Sequence, residues 1–109
     1  MATGKLGSID LDPGIETVVY TCPADTFTVA AVSFCNRGNS PASVRLAITT
    51  DSDTPELSEF IEYDVEVAAK GVLERTGIVL GADNRIVARS SSVNTSVVAF
   101  GIETPTTVT

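Results

Sequence analysis

Apolar side chains recur at every second position in one segment after another, and clusters of Gly, Pro, Asn and Asp break the pattern at short intervals. Residues 61–67 show it most plainly, because Ile61, Tyr63, Val65 and Val67 alternate with Glu62, Asp64 and Glu66. A strand sends such a set to two faces, one apolar and one acidic, whereas a helix would spread the carboxylates around its cylinder. In residues 42–50, Val44, Leu46 and Ile48 alternate in the same way with Ser43, Arg45, Ala47 and Thr49. Together with residues 5–11, 17–22, 26–35, 72–80, 85–90 and 93–102, the pattern predicts about eight strands. The predicted fold is all-β, a two-sheet antiparallel β-sandwich of jelly-roll character. Val44, Leu46, Ile48, Ile61, Tyr63, Val65, Val79 and Ile86 are the predicted core.

Two segments depart from one-sided alternation. In residues 26–35, Phe27, Val29, Ala31 and Cys35 fall on one side, and Ala30, Val32 and Phe34 on the other. In residues 93–102, Val97 and Ala99 oppose Val98, Phe100 and Ile102. A thin sandwich buries only one face of each sheet, so a second apolar face predicts cover by a neighbouring subunit. Turn-forming runs such as Asp12-Pro13-Gly14, Cys22-Pro23-Ala24-Asp25 and Gly81-Ala82-Asp83-Asn84 separate the strands. The longest break, residues 51–59, has room for one helical turn at Pro55-Glu56-Leu57-Ser58-Glu59. No linker or internal repeat divides the chain, and residues 1–109 read as one domain with short extended arms at residues 1–4 and 104–109.

Composition narrows the function. Fourteen acidic residues against seven basic ones leave a net charge of −7, which repels nucleic-acid phosphates. No apolar run approaches a membrane span, and the first residues lack a secretory signal, so a protein made and kept in a cytoplasm, or assembled there, is expected. His and Trp are absent, which removes the commonest general base and a common zinc ligand. Ser and Cys therefore lack the usual partner for nucleophilic catalysis, and the phosphate-cradling glycine loops are missing. The chain is expected not to be an enzyme, with no catalytic, cofactor-binding or metal-binding residue assigned.

Weaker constellations read better as surface. Asp51, Asp53 and Glu56 crowd one loop, but the glycine turn and closing bidentate glutamate of a calcium loop are missing. Glu62, Asp64 and Glu66 share an exposed strand face with nothing to raise a pKa. If Cys22 and Cys35 end two strands of a hairpin, they stand roughly 30 Å apart and cannot form an internal disulfide. Free thiols or a bridge between subunits are then the two readings. Asn94-Thr95-Ser96 matches a glycosylation sequon without a secretory context. Arg37, Arg45, Arg75, Arg85 and Arg89 outnumber the lysines, Lys5 and Lys70, which fits either an interface or ordinary surface ion pairs.

The run Gly71-Val72-Leu73-Glu74-Arg75-Thr76-Gly77-Ile78-Val79-Leu80, followed by Val87-Ala88-Arg89-Ser90, resembles a pattern in small virion structural proteins of tailed bacteriophages, notably those infecting cyanobacteria. Gly4-Lys5-Leu6, Val19-Tyr20-Thr21-Cys22-Pro23-Ala24, Phe34-Cys35-Asn36-Arg37, Val44-Arg45-Leu46-Ala47-Ile48 and Ile61-Glu62-Tyr63-Asp64 extend the resemblance over most of the chain. It implies a β-sandwich decoration or accessory subunit present in many copies on the capsid, neck or tail, binding other virion proteins and forming a homo-oligomer, a trimer by preference. Its place is the virion, assembled in the host cytoplasm, with no cofactor, nucleic acid or membrane as partner. The alternative is a host-recognition module whose loops bind a surface glycan. Tyr20 and Tyr63 are the only polar aromatics available to stack on a sugar, and Tyr63 is predicted to point inward.

Overall fold

Val, Ile, Thr and aromatic residues dominate the alternating segments and favour a pleated, half-buried surface. In the computed structural model, which describes residues 3–106, these segments form eight strands. They are β1 (Thr3–Leu11), β2 (Thr17–Thr21), β3 (Thr26–Asn36), β4 (Ala42–Thr49), β5 (Phe60–Val67), β6 (Val72–Leu80), β7 (Arg85–Ser90) and β8 (Thr95–Pro105). A 3₁₀ turn at Leu57–Glu59 occupies the one break where a helical turn was expected.

Antiparallel pairing joins β1 to β8, β2 to β7, β3 to β6 and β4 to β5, as if one long hairpin had been rolled up. Two further pairings, β3 with β8 and β4 with β7, complete two four-stranded sheets. Sheet I has the order β1-β8-β3-β6 and sheet II the order β2-β7-β4-β5, which is the arrangement of a jelly-roll β-sandwich. Between the sheets, Val32, Phe34, Leu80 and Val97 of sheet I meet Val44, Leu46 and Ile86 of sheet II, all fully buried.

The four central strands pair without a break in register. Every edge strand carries an irregularity instead: between Lys5 and Gly7 in β1, opposite Val87 and Ile86 in β2, opposite Val44, Leu46 and Ala47 in β5, and opposite Ala30 and Val32 in β6. Bulges of this kind blunt an edge against pairing with another chain.

Those bulges overturn two core assignments. In β6 the extra residue falls at Thr76-Gly77, where Gly77 has φ +73°, a conformation that costs glycine little. Alternation restarts one residue later, so Ile78 and Leu80 turn inward and Val79 faces solvent at 65% exposure. In β5 the bulge at Tyr63-Asp64, with Asp64 at φ +55°, sends Tyr63 outward at 49% exposure. Ile61, Val65 and Ile48 remain packed against the core as predicted. A one-residue insertion exchanges the faces of a strand, which simple alternation cannot anticipate.

Two further expectations change. β2 and β3 do not form a hairpin; they belong to different sheets, and the chain crosses between them at Pro23-Ala24-Asp25. The expected arms are strand at residues 3–4 and 104–105, where Thr3 pairs with Ile102 and Pro105 pairs with Thr26; just past the strand, the Thr106 amide donates to the Asp25 carbonyl. Residues 1–2 and 107–109 of those arms lie outside the described residues.

Candidate functional site

On the outer face of sheet I, cross-strand register assembles rows of side chains. One row runs Thr3, Ile102, Val29, Val79 across β1, β8, β3 and β6. The next places Lys5, Phe100 and Ala31 side by side, and the third Ser8, Val98, Ser33 and Glu74. Phe27 flanks the first row, while Cys35 and Val72 close the face at its other end. Val29 is 46% exposed, Ile102 54%, and Phe27 and Phe100 each 38%. The centre of the face holds no charge; Lys5, Asp10 and Glu74 stand on its two edge strands. Neither Lys5 nor Glu74 has an ion-pair partner among the described residues.

The outer face of sheet II is finished differently. Arg45 donates to both carboxylate oxygens of Asp64, from Nε at 2.6 Å and Nη2 at 3.1 Å. Its guanidinium lies 4.1 Å from the Tyr63 ring centroid, and that ring meets Phe60 edge-on at 5.0 Å. The paired guanidinium holds the Asp64 carboxyl below its usual range, and the carboxylate raises Arg45 in turn. Ala47 and Val87 are buried even on this side.

At one end of the sandwich a polar clasp ties the sheets together. The Tyr20 hydroxyl donates to Glu103 Oε2 at 2.5 Å and lies 2.8 Å from Thr28 Oγ1. Cys22 Sγ is 3.3 Å from that same hydroxyl oxygen and 3.4 Å from the Thr26 carbonyl. Burial, and then the hydrogen bond to Glu103, pushes the Tyr20 phenol well above its ordinary range. A phenol held neutral this firmly is a poor acid, and its hydrogen bonds join β2 of sheet II to β3 and β8 of sheet I. A cavity of about 180 Å³ lined by Pro23, Thr26, Glu103 and Pro105 adjoins it. At the opposite end, a cavity of about 290 Å³ is lined by Asn36, Gly38, Asn39, Ser40, Ser92, Val93 and Asn94. Asn36 is committed there to the carbonyls of Ser40 and Val67 and to the Gly38 amide.

The acidic loop does not converge. Asp53 pairs with Arg85, and Glu59, closing a capping box with Glu56, accepts from the Thr50 amide at 3.1 Å. No cluster of metal-ligating side chains occurs among the described residues. Glu62, Asp64 and Glu66 do not share a solvated ladder either, because Asp64 is held by Arg45, and Glu62 turns to the sandwich edge, 3.4 Å from Arg75 of β6. Four of the five arginines pair within the chain. Cys22 is buried near one end of β3, and Cys35 lies toward the other end on the outer face of sheet I. Both are free thiols.

Sequence reasoning found the apolar outer face and missed the clasp. A signal for the clasp exists, since Glu103 has the same parity as Val97 and Ala99, and a carboxylate on a core-facing position needs a buried donor. Its partner Tyr20 lies 83 residues away, and no local pattern joins them. Fold and surface together define an eight-stranded jelly-roll sandwich with one charged outer face and one apolar outer face. The chain matches no protein-family model and no curated protein.

Proposed function

We propose that the protein is a non-enzymatic structural subunit of a tailed-bacteriophage particle, a multi-copy decoration or accessory component of the capsid, neck or tail. It binds other virion subunits through the outer face of sheet I. The observation that carries this reading is the exposed, uncharged row of Val29, Ile102 and Val79 flanked by Phe27 and Phe100. Contiguous apolar patches of this kind on proteins in water mark contact surfaces. The phage setting comes from the sequence resemblance alone.

Washed, purified particles should contain the protein in fixed stoichiometry by quantitative mass spectrometry. Wild-type protein should rebind particles lacking it, and Val29→Asp should not. Absence from washed particles would overturn the reading. The glycan-binding alternative has two separate features in its favour, the cavity at Asn39, Ser92 and Asn94, which no aromatic ring lines, and the outward Tyr63 ring, which Arg45 and Phe60 already cover in part. Glycan-dependent binding to host cells, abolished by Asn94→Ala and unaffected by Val29→Asp, would replace the structural reading with that one.

A further inference from the structure

We propose that the occupant of the sheet I face is a second copy of this chain, stacked face to face about a two-fold axis that runs along the strands between β3 and β8. The inference rests on reading that face as an assembly surface, and adds the partner and the geometry.

Three observations lead to it. First, strand-edge addition is opposed at all four edges by bulges, so association falls to a face. Second, the face of sheet II carries charge across its width, with Arg45 and Asp64 paired and Arg89 and Glu66 outward beside them, whereas that of sheet I is uncharged at its centre. A charged partner gains nothing from such a centre, while a second copy supplies a matching apolar sheet that packs in the aligned manner of sandwich layers.

Third, the rim charges select the axis. Lys5 stands on β1 in the row of Phe100 and Ala31, and Glu74 stands on β6 one row along, beside Ser33. A two-fold along the strands lays β1 of one copy over β6 of the other. Each Lys5 then lies within about one row, roughly 7 Å, of the partner's Glu74. A two-fold across the strands would instead bring the two Lys5 side chains together at one edge and the two Glu74 side chains together at the other. Asp10, one row to the other side of Glu74, is already held by Arg37 at 2.5 Å, so the unpaired rim charges meet as opposites in the first arrangement and as likes in the second.

The face measures roughly 20 by 26 Å in plan, on the order of 500 Å². This is smaller than the roughly 800 Å² per partner of a standard stable interface, so the dimer should be weak in dilute solution. Many copies held on a particle raise the local concentration enough to populate it. Each copy carries −7, so added salt should tighten the dimer by screening that repulsion. This two-fold rests on the rim charges, whereas the trimer rests on the resemblance.

Sedimentation equilibrium from micromolar to millimolar concentration tests the proposal. Wild type should show a reversible monomer–dimer equilibrium that Val29→Asp and Phe100→Ser abolish, with circular dichroism and melting confirming that both variants fold. Lys5→Glu moves the net charge from −7 to −9 and Glu74→Lys moves it to −5, while the double variant returns to −7. Each single change should weaken the dimer about three- to tenfold, since two rim pairs are lost per dimer, and the double exchange should restore it. Weakening by Glu74→Lys is diagnostic, because its lower net charge alone would tighten association. Val29→Cys and Ile102→Cys chains, each carrying Cys35→Ser and mixed in equal amounts, should cross-link through a short bis-maleimide mainly as the mixed pair.

A chain that stays monomeric throughout, or single charge variants that are not rescued by the double exchange, overturns the two-fold. If particle binding nonetheless still requires Val29, the assembly-face reading stands and only the second copy is lost. If Val29→Asp alters neither, both fall.

Discussion

The two outer faces of the sandwich are built on the same plan and finished in opposite ways. Each rests on an inner face packed into the common core, and each has its outward side chains aligned by unbroken pairing of two central strands. On sheet II the outward positions carry Arg45, Asp64, Tyr63 and Phe60, which satisfy one another through a forked ion pair and ring contacts. On sheet I they carry Phe27, Val29, Phe100 and Ile102, which have only water to face. Folding requires the inner sets alone, and sheet II shows that this architecture tolerates polar outward positions. The apolar positions on sheet I are therefore not explained by packing within the chain, and contact with another molecule is the role proposed for them.

The shared inner core is the baseline for that contrast. Leu46, fully buried beneath the sheet II face, should cost about 2–5 kcal/mol when replaced by alanine, as measured by urea denaturation. A change near zero would mean that the faces do not rest on a common core. Gly101 sharpens the contrast within sheet I, because it lies between the outward Phe100 and Ile102. A Cβ there would sit 2.1 Å from the Val29 carbonyl oxygen and 2.8 Å from the Ala30 Cα. Gly101→Ala should therefore lose about 3 kcal/mol or more by forcing β8 away from β3, and should also abolish association. A variant as stable as wild type would show that the two strands can separate without harm to the face.

Next in size is the clasp between the sheets. Tyr20→Phe removes the hydroxyl shared by Glu103 and Thr28 and should cost about 1–3 kcal/mol. The Tyr20 pKa is raised in the folded state, so the unfolded chain gives up its proton first. Stability from this group is complete below about pH 10 and declines as pH rises through the folded value, by about 1.4 kcal/mol per pH unit. Thermal melts of wild type should show that alkaline loss, and melts of Tyr20→Phe should lack it. Identical alkaline profiles would place the clasp outside the energetics that join the sheets.

The smallest effect belongs to the charged face. Asp64→Asn keeps a residue that tolerates φ +55° and removes only the charge paired with Arg45. Its carboxyl pKa is lowered in the fold, so the pair contributes above the unfolded carboxylate pKa, and the contribution is lost as pH falls through the folded one. At pH 7 the urea midpoint should move little, as for exposed ion pairs, and the acid limb should lose part of its slope. A large shift at pH 7 would mean that sheet II depends on its surface charges, and the contrast between the faces would then need redrawing.

Periodicity alone determined the fold class, the eight strands to within a few residues at their ends, and the two-faced character of β3 and β8. These are local properties, because a period of two is imposed by the pleat at every residue. Which face a strand turned inward after a bulge was decided elsewhere: Tyr63 and Val79 left the predicted core because β5 and β6 each gained a residue against a partner strand. Pairing of β2 with β7 in place of β3, and the meeting of Tyr20 with Glu103 across 83 residues, likewise depended on how the long hairpin rolled. Alternation assigns side chains to two sides of a strand, but only the packing of one sheet on the other decides which side is buried. That is why the apolar outer face of sheet I was legible in the sequence, while its neighbours in each row and the charges at its rim became visible only in three dimensions.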